Sequence, residues 1–199
     1  MTLAVVILAA GKSTRFKSTT PKVLHDFGEK PLIAYGLDLA AQLSEERPVL
    51  VVGEETDAPL RAWAGDRAEF VYQAQRLGTG HAVLQARDLL EGRADRVLVL
   101  YGDMPLLRAS SLQRLITTQE ETRAAMAMIT IIRDNSQGFG RVLRNAEGCV
   151  VGVVEEPEAT PDQLRIRELN AGIYVYDADF LWGHLPQVTP SAEKGEIYL

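Results

Sequence analysis

Leu3-Ala4-Val5-Val6-Ile7-Leu8-Ala9-Ala10-Gly11-Lys12-Ser13-Thr14-Arg15-Phe16 decides how the rest of the chain is read. Its first six residues are a short apolar run of strand type, and the run ends in small residues, Ala9, Ala10 and Gly11. Further strand-like runs at 48–52, 69–72 and 97–100 alternate with helix-like stretches, as in a parallel sheet built from crossover units. In 32–43, Leu32, Tyr35, Leu39 and Leu43 recur at helical spacing; in 81–90, Ala82, Val83, Ala86, Leu89 and Leu90 do the same. Ser110 followed by Gln113 predicts a capping box opening a helix over 111–121. Residues 1–122 therefore read as an α/β, doubly wound, mostly parallel sheet.

Beyond Ala124 the pattern changes to strand-like runs at 126–132, 141–143, 149–154 and 169–176, with a turn at 145–148. Residues 123–199 are expected to add antiparallel or mixed strands. No repeat or low-complexity linker divides the chain, so a single domain over 1–199 is expected, its two halves sharing a core. A ligand is expected between those halves, at the carboxyl ends of the parallel strands.

The 199 residues, 46% of them hydrophobic, suffice for one core. The apolar runs are far shorter than the roughly 20 residues that cross a bilayer, so no membrane span is expected. No Lys or Arg precedes the first run, which argues against a secretory signal. The single cysteine, Cys149, fits a reducing cytoplasm. A net charge of −6 argues against general nucleic-acid binding, which needs clustered Lys and Arg. Residues 1–25 are the exception: they hold Lys12, Arg15, Lys17 and Lys22 and neither Asp nor Glu. A basic segment in an acidic chain suggests a compact anionic ligand.

Small residues after β-type runs let backbone N–H groups face phosphates, because a side chain would hold the anion away. Gly11-Lys12-Ser13 imitates the end of a P-loop, but Val6 stands where that motif needs its first glycine. Only Gly11 is available for the G-x-G-x-x-G dinucleotide fingerprint. What remains is a glycine turn followed by Arg15 and then Pro21-Lys22, a fork and a compact charge suited to a triphosphate. The plainer reading is a solvated basic loop. The histidines His25, His81 and His184 lack the spacing of a zinc site, and Ser13 and Thr14 have no identifiable base. Trp63 and Trp182 lie on amphipathic stretches and are read as packing residues.

The segments Leu8-Ala-Ala-Gly-Lys-Ser-Thr-Arg15, Pro21-Lys-Val-Leu-His25, Gln73-Ala-Gln-Arg-Leu-Gly-Thr-Gly-His-Ala82, Tyr101-Gly-Asp-Met-Pro-Leu106, Gly138-Phe-Gly-Arg141, Val154-Glu155-Glu156 and Glu168-Leu-Asn-Ala-Gly172 occur in that order. Together they resemble the sugar-phosphate nucleotidyltransferases with their Rossmann-like fold, in particular the bacterial N-acetylglucosamine-1-phosphate uridylyltransferase branch. The resemblance covers essentially the whole chain. It implies a cytoplasmic enzyme of UDP-N-acetylglucosamine and cell-wall biosynthesis, with UTP and N-acetylglucosamine 1-phosphate as substrates and Mg2+ as cofactor. By the same resemblance Arg15 and Lys22 are catalytic, and Asp103 is the metal ligand. Leu8, Ala9, Ala10, Gly11, Gln73, Gly78 and Thr79 are expected to hold the nucleotide; Tyr101, Gly140, Glu155 and Asn170 the sugar. Read alone, Thr79 could be an ordinary helix cap, Gly78 a turn glycine, Asp103 a turn residue, and Glu155 and Asn170 strand-end polar residues.

The chain departs from the family pattern at Ser13, where glycine is usual, at Arg76, where a smaller polar residue is usual, and at Ala171, where threonine is usual. Gly195-Glu-Ile-Tyr-Leu199 resembles the beginning of the family segment G-E-Y-Y-L-T-D, which implies a chain cut short at its C-terminus. A second metal-binding asparagine, and the acetyltransferase β-helix through which full-length members form homo-oligomers, would lie beyond it. Transfer to another nucleotide or sugar phosphate, or a non-catalytic nucleotide-sugar sensor, are the competing readings.

Overall fold

The computed structural model describes residues 1–12, 18–136, 138–191 and 195–199. In chain order the elements are β1 (Leu3–Leu8), β2 (Asp26–Phe27), β3 (Lys30–Pro31), α1 (Leu32–Leu43), β4 (Val49–Val52), α2 (Asp57–Ala64), β5 (Glu69–Tyr72), α3 (Thr79–Leu84), α4 (Arg87–Leu90), β6 (Arg96–Tyr101), α5 (Ala109–Thr122), β7 (Met126–Ile132), β8 (Arg141–Arg144), β9 (Val150–Val154), β10 (Glu168–Asp177) and α6 (Ala178–His184). The chain divides into two compact units, Met1–Ala127 with Tyr174–Leu199, and Met128–Ile173.

In the first unit the strands lie in the order β5-β4-β1-β6, followed by the second part of β10. β1 is parallel to β4, with Val6 opposite Val49, and parallel to β6, with Leu3 opposite Arg96 and Leu8 opposite Tyr101. Tyr174 to Asp177 run antiparallel to β6, Tyr174 facing Val99. A parallel sheet covered by helices on both faces needs apolar residues at consecutive positions, not at alternate ones. This explains why Val5, Val6, Ile7, Val97, Leu98, Val99 and Leu100 are all buried. Truncating Leu98, which is 0% exposed, to alanine should cost about 2–5 kcal/mol of stability. Urea unfolding of L98A checks that figure.

The strand order is what places a site. From β1 the chain winds outward to β4 and β5, then returns past β1 to β6, so the winding direction reverses between β1 and β6. Loops leaving the carboxyl ends of those two strands diverge and leave a crevice.

Two expectations on helices need correction. The helix predicted over 81–90 is two short ones, α3 and α4, separated at Gln85 and Ala86. There the bonds tighten to Gln85 N–H to the Ala82 carbonyl and Ala86 N–H to the Val83 carbonyl, a 3₁₀ turn. The apolar spacing survives the break because Ala82, Val83, Ala86 and Leu90 all remain buried. The capping box fails as well. α5 starts at Ala109 after an extended Arg108, so Ser110 lies inside the first turn and no side chain caps the helix.

The second unit is antiparallel. β8 and β9 form a hairpin, with Arg141 opposite Val154, closed by a turn in which the Gly148 N–H donates to the Asn145 carbonyl at 3.0 Å. Leu169 of β10 pairs with Arg141. The return of the chain to the first unit at Tyr174 falls inside the unbroken strand β10. Among the described residues, no helix is long and apolar enough to cross a membrane.

Candidate functional site

At the carboxyl ends of β1 and β6 the first unit has a cleft of about 410 Å³. Leu8, Ala9, Ala10, Gly11, Lys22, Gln73, Gly78, Thr79, Tyr101 and Asp103 all line it, so residues spread over the first half of the sequence meet in one place. Arg15 lies outside the described residues.

The turn after β1 is fixed by its neighbours. Ala9 N–H donates to the Val51 carbonyl at 2.9 Å, and Gly102 N–H to the Leu8 carbonyl at 3.0 Å. Gly102 leaves little room beside this turn: a Cβ there would lie 2.8 Å from the Cδ1 of Ile33 in α1 and 3.3 Å from the Leu8 carbonyl oxygen. That glycine delivers Asp103 into the cleft. Lys22 starts a single 3₁₀ turn, Lys22–Leu24, anchored by buried Val23. Its Nζ donates to Asp103 Oδ2 at 2.5 Å. The side chains are 39% and 31% exposed, so the pair is open to a ligand and contributes little to stability.

The opposite wall is the segment from Gln73 to the start of α3. Gln73 is buried, and its Nε2 donates to the Gly78 carbonyl at 3.2 Å and lies 3.0 Å from His81 Nδ1. The caps differ from the plain sequence reading. Gly78, at φ +99°, is the residue before α3, and Thr79 is the first residue within it. The Gly78 conformation and its surroundings both demand glycine, since a Cβ would lie 2.4 Å from the Ile197 carbonyl oxygen. The segment ending the chain packs against this wall: Ile197 N–H donates to the Leu77 carbonyl at 2.7 Å, and Gly80 N–H to the Ile197 carbonyl at 2.8 Å. Leu199 N–H donates to Thr79 Oγ1 at 3.3 Å.

Lys12, Arg76 and Glu196 also line the cleft and were not anticipated as site residues. Arg76 Nε donates to the Ala10 carbonyl at 3.0 Å, and Glu55 faces both Arg76, at 3.6 Å, and Lys12, at 3.4 Å. The one signal for Arg76 in the sequence is its departure from the pattern that its neighbours follow.

Within the second unit, the three other sugar candidates adjoin one another. Asn170 N–H donates to the Gly140 carbonyl at 2.9 Å. Gly140 lies so close to Glu155 that a Cβ would be 2.8 Å from its Oε1. The next residue, Glu156, accepts from Gly138 N–H at 2.9 Å and from Arg141. The Gly138 amide, and after it the Arg141 guanidinium, hold the Glu156 carboxyl below its ordinary range.

A larger cavity, about 1120 Å³, lies at the other end of the sheet beside Thr2, Asp95 and Arg96. Two of its polar pairs are engaged internally, Arg96 Nε with Gln119 Oε1 at 2.6 Å and Thr2 N–H with Asp95 Oδ2 at 2.6 Å. Ligands of doubly wound sheets bind at the carboxyl ends, so the smaller cleft is the candidate site.

Residues 5–160 match the family model described as the MobA-like NTP transferase domain. Similar curated proteins carry the name bifunctional protein GlmU. That of Heliobacterium modesticaldum is 42% identical over 194 residues, covering 98% of this chain and 42% of the relative. That of Pseudomonas aeruginosa strain UCBPP-PA14 is 41% identical over 199 residues, covering 100% and 43%. The chain thus spans less than half the length of these relatives. Among solved structures, a UDP-glucose pyrophosphorylase complexed with UDP-glucose aligns with a TM-score of 0.77 at 19% identity, covering 100% of this chain and 84% of that one. A CMP:2-keto-3-deoxy-manno-octonic acid synthetase complexed with CTP aligns with a TM-score of 0.73 at 20% identity, covering 96% and 80%. At such identities the structural likeness speaks for the fold.

Proposed function

Because the chain belongs to the family of MobA-like NTP transferase domains, we propose that it transfers the uridylyl group of UTP to N-acetylglucosamine 1-phosphate, giving UDP-N-acetylglucosamine and pyrophosphate. The observation that carries this reading is the meeting of Lys22 and Asp103, at 2.5 Å, beside the small-residue turn after β1. A cation and an anion at the switch point of a doubly wound sheet suit a polyphosphate whose charge must be balanced while a bond to phosphorus breaks. The relatives named GlmU support the choice of sugar and base, as do the motifs from Gln73 to Ala82 and from Gly138 to Arg141.

In this reading the Ala9–Gly11 backbone and the Gln73, Gly78 and Thr79 wall hold the uracil and ribose. Lys22, with Arg15, neutralises the phosphates. Tyr101, Gly140, Glu155 and Asn170 hold the sugar. An oxygen of the sugar's phosphate attacks the α-phosphorus of UTP directly, the pyrophosphate oxygen leaves, and no protein group is covalently modified. The chain's work is positioning and charge balance.

Magnesium fits the donor set, since it is commonly held by one or two carboxylates with phosphate oxygens and waters, and Asp103 opens onto the cleft. Asp103 would hold it, and the ion would supply further charge neutralisation at the phosphates. A cytoplasmic location goes with these substrates and with a chain containing one cysteine.

The test is pyrophosphate release with N-acetylglucosamine 1-phosphate and, in turn, UTP, TTP, CTP and GTP. UTP should be used at least about tenfold faster than the others, a preference worth about 1.4 kcal/mol. Equal use of several nucleotides would overturn the assignment of the Gln73 wall to uracil.

A further inference from the structure

We propose that Arg141 and Glu156 are positioning residues for the sugar phosphate, acting by holding the Gly138–Gly140 backbone against Glu155 and Asn170. The inference rests on the assignment of that backbone to the sugar. The two consecutive carboxylates do different things. Glu155 lies over Gly140, close enough that any Cβ there would meet its Oε1 at 2.8 Å. Glu156 instead holds the same segment from behind: its Oε2 accepts from Gly138 N–H at 2.9 Å and from both terminal nitrogens of Arg141 at 3.0 Å.

Arg141 completes the clamp. Its Nη1 donates to the Phe139 carbonyl, and its Nη2 to Ser136 Oγ at 3.0 Å. One guanidinium therefore engages the segment at Phe139, Ser136 ahead of it and the Glu156 carboxylate, a task for a planar fork and not for a single ammonium. Arg141 is 2% exposed, so its charge is compensated by Glu156 and not by water. Gly138, at φ +81°, adopts a backbone conformation that Glu156 and Arg141 hold on either side. Gly140 then presents its carbonyl to Asn170 N–H at 2.9 Å, which brings backbone, carboxylate and amide into one small polar patch. Loosening the clamp should move this patch and leave the contacts within the cleft of the first unit untouched.

The test is a comparison of Glu156→Gln with wild type in steady-state turnover, varying each substrate at saturation of the other. Glutamine keeps the shape and one acceptor oxygen but removes the charge. The expected result is a KM for N-acetylglucosamine 1-phosphate raised about tenfold, by analogy with the loss of groups that orient metal ligands, with kcat and the KM for UTP changed less than about twofold. Arg141→Lys, which keeps the buried charge but loses the fork, should act in the same direction and carries the test if Glu156→Gln melts below assay temperature. An unchanged KM for the sugar phosphate, or equal loss for both substrates in step with a lower Tm, overturns the clamp. Absence of wild-type turnover would instead overturn the proposed function, which keeps the two failures distinct.

Discussion

Asp103→Ala should lower turnover by about a hundredfold to a thousandfold, the scale found when one group balancing transition-state charge is removed. The protein should stay folded. Asp103 leaves β6 through Gly102, whose N–H is bonded to the Leu8 carbonyl, and that bond does not depend on the carboxylate. The Lys22 partner is 39% exposed on its side chain, so water can solvate it when Asp103 is gone, and the cost to stability is at most about 1 kcal/mol. Single-turnover assays at saturating UTP and magnesium, beside thermal unfolding followed by circular dichroism, would separate the two effects. Asp103→Asn keeps the size and loses the charge, and should be nearly as slow. Turnover of Asp103→Ala within about tenfold of wild type would remove this residue from the mechanism.

Lys22→Ala is expected to cause a loss of similar size, about a hundredfold or more, and mostly in kcat. The argument is one of differential binding: a cation that meets phosphate charge as it develops on the leaving group acts on the transition state more than on bound UTP. Lys22→Arg should not restore full activity, because the short contact of Nζ with Asp103 uses a compact ammonium and a planar fork is larger and differently directed. The two residues are in contact, so the double variant Lys22→Ala with Asp103→Ala should lose less than the product of the single losses. Near-normal turnover of Lys22→Ala, measured as pyrophosphate release, would refute its role.

Much of the first unit could be read from the sequence because its physics is local. A buried parallel strand needs an unbroken apolar run, and 3–8, 49–52 and 97–100 are such runs, so β1, β4 and β6 are legible to within a residue or so. The kink at Gln85 was not, because the two short helices keep a common buried face and so preserve the spacing of one. The start of α5 differs from the sequence reading because Ser110 and Gln113 have the right chemistry two residues too late, Ser110 following the N-cap position Arg108 by two. The return of the chain at Tyr174 is hidden because β10 runs through it as one strand, and the Asn170 and Gly172 just before it, the latter at φ +75°, stand inside a strand-like run.

At the site, Lys22 and Asp103 are 81 residues apart and their contact follows from topology, which a spacing rule does not contain. Their selection came from the family resemblance. Arg76, bonded to the Ala10 carbonyl, was noticed only as a departure from that pattern, and the place of Ile197 against Gly78 was not foreseen. Gly78 shows why: what demands glycine there is a backbone approach from a segment more than 100 residues later.

Direct joining of UTP to a sugar phosphate in this cleft is the proposal on which the rest depends. Exchange of labelled pyrophosphate into UTP, with magnesium, in the presence and absence of N-acetylglucosamine 1-phosphate, tests it most closely. Exchange is expected only when the sugar phosphate is present, and should be lost in Asp103→Ala. Exchange without the sugar phosphate, or none under either condition, would contradict it.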